Sequence, residues 1–249
     1  MVTAYTQKLI ISGNSIELYQ YSNKIFGGFE RKGSFRNFEP TSRADSSISR
    51  TRNNLRRLIE SNPTLNKFVS FTFNRDMFDI SVANSHFTKF IQRLRYAHYP
   101  NLKYISVLEF QKDVDFYGNE KENGGSAHYH SLFDIPFTPH SELLKIWGNG
   151  SVNIKRIYDP EGIPGYVSKY LVKESFDSKY HGKKKIFSSK NISRPIEIKN
   201  DFLVDDFIHK NRIFLKPKYI CRFNGEYTGE VLYRQFVKIN KFKEFVMPV

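Results

Sequence analysis

Between Lys67 and Ile157 the spacing of apolar residues switches from two to about 3.6 and back, and nothing else in the chain narrows the fold so far. Lys67–Asn74 (KFVSFTFN) alternates strictly, with Val69, Phe71 and Phe73 on one side and Ser70, Thr72 and Asn74 on the other. That is the pattern of a half-buried strand. Phe87, Phe90, Ile91 and Leu94 then recur at helical spacing and predict an amphipathic helix over 82–98, closed by Pro100. Strands follow over 103–110 (KYISVLEF) and 127–135 (AHYHSLFDI), separated by a polar, glycine-containing loop over 112–126. A short helix over 141–147, with Ser141 as its cap, a fourth strand over 151–157 and a helix over 165–173 complete the region. The order β-α-β-β-α-β followed by a helix predicts an α+β fold, a central antiparallel sheet with helices packed on one face.

The segments on either side have a different texture. Residues 5–26 alternate loosely and turn at Ser12-Gly13-Asn14, which predicts a hairpin. Residues 27–47 read as a loop. A basic helix over 48–61 follows, capped by Ser46 or Ser47, with Ile48, Leu55, Leu58 and Ile59 as its apolar stripe. Arg50, Arg52, Arg56 and Arg57 cover much of its remaining surface. Residues 178–193 are basic and turn-rich, and alternation returns around 212–215, 219–223 and 230–237, as in a small α+β or β-rich tail.

Charge follows the same division. The 249 residues carry a net charge of +14. Residues 1–60 contribute +5, residues 61–175 only +1, and residues 176–249 +8. Basic flanks around a nearly neutral middle fit a polyanionic partner, namely nucleic acid. Cys221 is the only cysteine, which excludes an intramolecular disulfide framework and fits a reducing compartment. No apolar run is long enough to span a membrane, and the first twenty residues lack the apolar core of a secretory signal. The expectation is a cytoplasmic protein.

Two motifs in the neutral middle carry chemistry. On a strand, His128 and His130 of His128-Tyr129-His130 project from one face, roughly 6–7 Å apart at Cβ. Two imidazoles so placed can share a divalent ion if a third ligand joins them. Glu109 is that candidate, because it interrupts the apolar face of Ile105 and Val107 near the end of the preceding strand. A buried carboxylate there needs a partner. In the predicted helix over 165–173, Tyr166 and Tyr170 are i and i+4, and so are Lys169 and Lys173. A phenolate beside lysines and a metal-polarised phosphodiester is an activated nucleophile; by spacing alone the tyrosines are equally packing residues.

Taken in order, these segments resemble the HUH endonucleases, specifically rolling-circle replication initiators. That family carries an apolar strand ending in a polar turn, a His-hydrophobic-His strand and a helix with one or two tyrosines beside a lysine. The matching positions here are Phe68–Asn74, His128–His130 and Tyr166–Lys173. The paired form Tyr166-Val-Ser-Lys169-Tyr170-Leu-Val-Lys173 is similar to the two-tyrosine initiators of small single-stranded DNA phages and related plasmids. Trp147-Gly148-Asn149-Gly150 and the Arg-rich helix ahead of the first motif are also similar. Tyr129, in place of an aliphatic residue between the histidines, is a mild departure.

The resemblance implies an HUH/RRM-like nuclease core at residues 61–175 with basic extensions at 1–60 and 176–249. It implies that His128, His130 and Glu109 hold one Mg²⁺ or Mn²⁺. It implies that Tyr166 or Tyr170 attacks single-stranded DNA at a replication origin, leaving a free 3′-hydroxyl and a 5′-phosphotyrosine, and that the ends are later rejoined. Lys169 then contacts the phosphate or the phenolate, and Lys173 the DNA backbone. No phosphate-binding G-x-x-x-x-G-K-[ST] sequence is present, so a helicase and a polymerase are expected from the host. A transposase or relaxase of the same family, or a non-catalytic single-strand binder using Phe and Tyr as stacking platforms, remain alternatives.

The basic flank predicts a measurable salt effect. Replacing Lys183, Lys184 and Lys185 by glutamine should weaken DNA affinity and flatten its salt dependence by up to about three phosphate contacts. An unchanged slope in salt titrations would assign these lysines to ordinary solvated surface.

Overall fold

The computed structural model of the protein describes residues 3–27, 40–111, 119, 125–156, 184–239 and 244–248. Its chain divides into two compact units, one of Pro40–Ser193 and one of Met1–Glu39 with Arg194–Val249. Both are α+β, each built on a five-stranded antiparallel sheet.

In the Pro40–Ser193 unit the described elements are α1 (Pro40–Glu60), β3 (Lys67–Thr72), α2 (Ile80–Ala97), β4 (Tyr104–Phe110), β5 (Ala127–Phe133), α3 (His140–Trp147), β6 (Val152–Arg156) and β7 (Ile186–Ser188). The sheet order is β6-β3-β5-β4-β7. The first four strands are the split β-α-β arrangement expected from the sequence, and β7 adds an edge. The periodic elements lie within a few residues of their expected bounds. Asp79 caps α2, its Oδ1 accepting from the Ser81 and Val82 amides. Before α3 stands Pro139, with no side-chain cap bond, so Ser141 lies inside the helix and does not cap it.

Each sheet face has its own core. On one, Val69, Phe71, Leu108, Tyr129 and Phe133 meet Phe87, Phe90 and Leu94 of α2 and Leu143 and Trp147 of α3. Phe71 is at its centre, with ring centroids 4.7 Å from Phe90 and 5.1 Å from Trp147. Such aromatic pairs add to what area burial alone contributes. On the other face, Phe68, Ile105, Val107 and Leu132 meet Leu55 and Ile59 of α1, together with Leu65 and Ile192. Helices therefore cover both faces, not one. The polar side expected of β3 is apolar and buried at Phe68 and becomes polar at Ser70 and Thr72.

Helix α1 begins at Pro40, well before the expected Ser46 or Ser47 cap. A proline at the first helical position is pre-set for the helix and lacks only an N–H that would have no intrahelical partner.

The turn Trp147-Gly148-Asn149-Gly150 ties α3 to the end of β3. Gly148 ends the helix in the left-handed region at φ 66°, its N–H donating to Leu144 O. Trp147 Nε1 donates to Thr72 O at 3.0 Å, and Asn74 N donates to Asn149 O at 2.9 Å. A Cβ on Gly150 would lie 2.2 Å from Thr72 O, so only glycine lets the two backbones approach this closely.

The second unit contains β1 (Thr3–Ser12), β2 (Ser15–Gly27), β8 (Ile196–Ile198), α4 (Asp201–Asn211), β9 (Leu215–Gly225) and β10 (Gly229–Lys238), in the sheet order β8-β1-β2-β10-β9. The expected hairpin is β1–β2, joined at Gly13-Asn14. Val204 and Phe207 of α4 pack on Leu9, Ile11, Ile16 and Leu18. Asn200 caps α4 through the Leu203 amide. The next residue, Asp201, accepts from the amides of Thr6 and Gln7, which hold its carboxyl below the usual range against the opposing effect of burial. The two ends of the chain thus form one sheet, and α1 belongs to the other unit. A division by charge separates these segments because charge carries no record of strand pairing. Among the described residues no helix is long and apolar enough to cross a membrane.

Phe71→Ala empties the centre of the larger core and should cost about 3–5 kcal/mol, read from urea unfolding. A loss below about 1 kcal/mol would mean the packing around Phe71 collapses without leaving a cavity.

Candidate metal centre

Strand register brings the site together. In β4–β5, Glu109 stands directly opposite His128 and Val107 opposite His130. In β3–β5, Thr72 stands opposite His128 and Ser70 opposite His130. Glu109, His128 and His130 therefore share the α1 side of the sheet, continuing the face that carries Phe68, Ile105 and Leu132. Tyr129 points the other way. Its ring stacks on Phe87 at 4.3 Å, and its hydroxyl donates to Asn84 Oδ1 at 2.7 Å. Burial pushes the Tyr129 phenol well above its ordinary pKa. The residue between the histidines is thus core, and an aromatic there is accommodated by α2.

Three donor atoms converge. Glu109 Oε2 lies 2.9 Å from His130 Nε2 and 3.3 Å from His128 Nε2, and the two Nε2 atoms are 2.9 Å apart. Two ligands held at right angles about 2.1 Å from one ion are about 3.0 Å apart, so these separations match the edges of one coordination face. The two imidazole rings are nearly perpendicular, at 89°. Glu109 Oε2 is buried yet makes no hydrogen bond of good angle, and neither does His128 Nδ1. The Oε2 contacts are short but off-axis: the three atoms aim at a common point more than at one another. Electron-rich atoms this close need a proton or a cation among them, and Glu109, His128 and His130 can hold a metal ion.

Electrostatics agree with that reading. Burial works to raise the Glu109 pKa, but the contacts and charges of His128 and His130 outweigh it and bring it down to about 2. The carboxylate stays ionised far below neutral pH, as a ligand must. Phe68 stacks against the His130 ring at 5.5 Å and 15°. Ser70 Oγ lies 3.0 Å from His130 Nδ1. Sequence reasoning assigned Ser70 to a surface abutting DNA and missed this contact, because the order of strands in the sheet, not local periodicity, decides which residue faces His130.

The remaining site residues are placed as follows. Tyr166, Lys169, Tyr170, Lys173 and Lys183 lie outside the described residues. Arg50 and Arg52 are exposed on α1, whereas Arg56 and Arg57 are half-buried. Arg56 forms an i, i+4 ion pair with Glu60 at 2.9 Å. Lys184 is exposed with its ammonium 4.8 Å over the Phe187 ring. Lys185 is half-buried, and its carbonyl accepts from the Leu108 amide at 2.8 Å.

Residues 66–175 match the family model of the replication-associated protein ORF2. The matched segment runs from the residue before β3 to beyond β6 and contains Glu109, His128 and His130. It is less than half of the chain and includes no strand of the sheet formed by the chain ends. The match supports a Rep-like replication protein, and it fits a replication initiator that acts on DNA. No curated protein and no solved structure gives a match.

The depressed Glu109 pKa fixes a sign. A carboxyl at about 2 in the folded chain and near its ordinary value when unfolded contributes stability above the unfolded pKa, and loses it as pH falls through the folded one. Urea unfolding of the metal-free protein should therefore weaken from about pH 4.5 down to about pH 2, and Glu109→Gln should flatten that slope. Equal slopes in both proteins would contradict the close contact with the histidines.

Proposed function

We propose that this chain is a rolling-circle replication initiator of the two-tyrosine HUH type, which nicks single-stranded origin DNA and later rejoins the ends. The observation that carries the proposal is the convergence of Glu109, His128 and His130 inside the segment that matches a replication-associated family. Glu109, His128 and His130 would hold one Mg²⁺ or Mn²⁺, and such an ion supplies Lewis-acid polarisation of the scissile phosphate when bound.

The chain's own residues supply the rest. The phenolate of Tyr166 or Tyr170 attacks the scissile phosphorus. A tyrosyl Oη–P bond forms and the P–O3′ bond breaks. The departing 3′ oxygen takes up a proton and becomes the 3′-hydroxyl that primes synthesis. One phosphoester replaces another, so the reverse step reseals DNA without ATP. The second tyrosine, one helical turn away, can cut a regenerated origin while the first still holds a DNA end. Lys169, on the same helix, steadies charge on the phosphate or the phenolate. Lys173, Arg50, Arg52, Arg56, Arg57 and Lys183–Lys185 contact the DNA backbone as basic side chains do. Host helicase and polymerase provide unwinding and synthesis, in the cytoplasm of the host cell.

In Mn²⁺, the purified protein should nick a cognate single-stranded origin oligonucleotide and migrate with it covalently through denaturing electrophoresis. Replacing both Tyr166 and Tyr170 by phenylalanine should abolish the adduct. Replacing both His128 and His130 by alanine should abolish cleavage while leaving salt-sensitive DNA binding nearly intact. Uncut DNA with wild type and variants alike would sink the nuclease reading; loss of DNA binding in the histidine variant would make those residues structural.

A further inference from the structure

We infer that Ser70 is a positioning residue for the metal centre, holding the His130 ring so that its Nε2 faces Glu109 and His128. The inference rests on the metal-dependent reading above and concerns what orients one of its ligands.

Ser70 and His130 are direct cross-strand partners in β3–β5, so their side chains leave neighbouring backbones on the same face. Ser70 Oγ meets His130 Nδ1 at 3.0 Å, while Phe68 stacks on the ring at 5.5 Å. One contact fixes rotation of the ring at its Nδ1 edge; the other restrains the ring face. His128 is held differently. Its cross-strand partner is Thr72, whose hydroxyl is engaged with the Ser151 hydroxyl. The buried His128 Nδ1 makes no hydrogen bond of good geometry among the described residues. The two histidines are therefore unlike, and His130 is the anchored one.

A hydroxyl suits this place because it both donates and accepts. An imidazole that offers its Nε2 lone pair to a cation carries its proton on Nδ1. That Nδ1–H then donates to Ser70 Oγ. Without a cation, the Ser70 hydroxyl donates to Nδ1, and Nε2–H faces Glu109 Oε2 at 2.9 Å. The same heavy-atom positions serve both tautomers. A carboxylate at residue 70 would accept only and favour one of them; an alanine would support neither.

The test titrates Mn²⁺ into metal-free wild type, Ser70→Ala and Ser70→Thr by calorimetry. Ser70→Ala should weaken Mn²⁺ binding by about 10–100-fold. Ser70→Thr keeps the hydroxyl and should stay within about threefold. The metal-free melting midpoint of Ser70→Ala should stay within about 5 °C of wild type. Ring ¹⁵N shifts of His130 in metal-free protein should change in the alanine variant and not in the threonine variant. Unchanged Mn²⁺ affinity in Ser70→Ala would overturn the positioning role alone, as would equal losses in both variants. A wild type that binds no Mn²⁺ would overturn the metal-dependent reading itself and this inference with it.

Discussion

The register of β4 against β5 is the constraint on which the site depends. Side chains on a strand alternate, so a slip of one residue would send Glu109 to the face opposite His128 and His130. The pairing that prevents the slip is buried on both faces. Ile105, Val107 and Leu132 lock into α1 on one side; Leu108, Tyr129 and Phe133 lock into α2 and α3 on the other. Either hydrophobic set would be exposed by the wrong register. Tyr129 thus does structural work for the residues beside it: anchored on Phe87 and Asn84, it fixes the strand positions from which His128 and His130 project the other way.

The sheet face that carries the donors is apolar at one end and polar at the other. Helix α1 closes the apolar end over Phe68, Ile105 and Leu132. Along β3 the face changes from Phe68 to Ser70 and Thr72, along β4 from Ile105 and Val107 to Glu109, and along β5 from Leu132 to His130 and His128. Near the polar end, Trp147 and Gly150 pin the last residue of β3. The group is therefore set on rigid strands with packed support beneath it, an arrangement that holds ligand geometry better than a loop does.

Legibility in the sequence followed the range of the interaction. Strand period placed His128 and His130 on one face, and an acid interrupting an apolar row marked Glu109, because both signals are local. The helix over 80–97 was legible from Phe87, Phe90, Ile91 and Leu94 for the same reason. The Ser70–His130 contact was not, since it joins residues separated by 60 positions and depends on β3 lying next to β5. The sheet made from the chain ends was also hidden: β1 pairs with β8 and β2 with β10 across most of the chain. The early start of α1 at Pro40 was obscured by a serine- and arginine-rich segment that reads as loop. Helix α4 escaped because its apolar stripe, Val204 and Phe207, is short and flanked by acids.

The most direct test of the account is where a divalent ion binds. Crystals grown with Mn²⁺ and measured at a wavelength where manganese scatters anomalously report its position without reference to activity. The account predicts one peak about 2.0–2.3 Å from Glu109 Oε2, His128 Nε2 and His130 Nε2. An occupied manganese position elsewhere, or no peak at these three atoms, would contradict it.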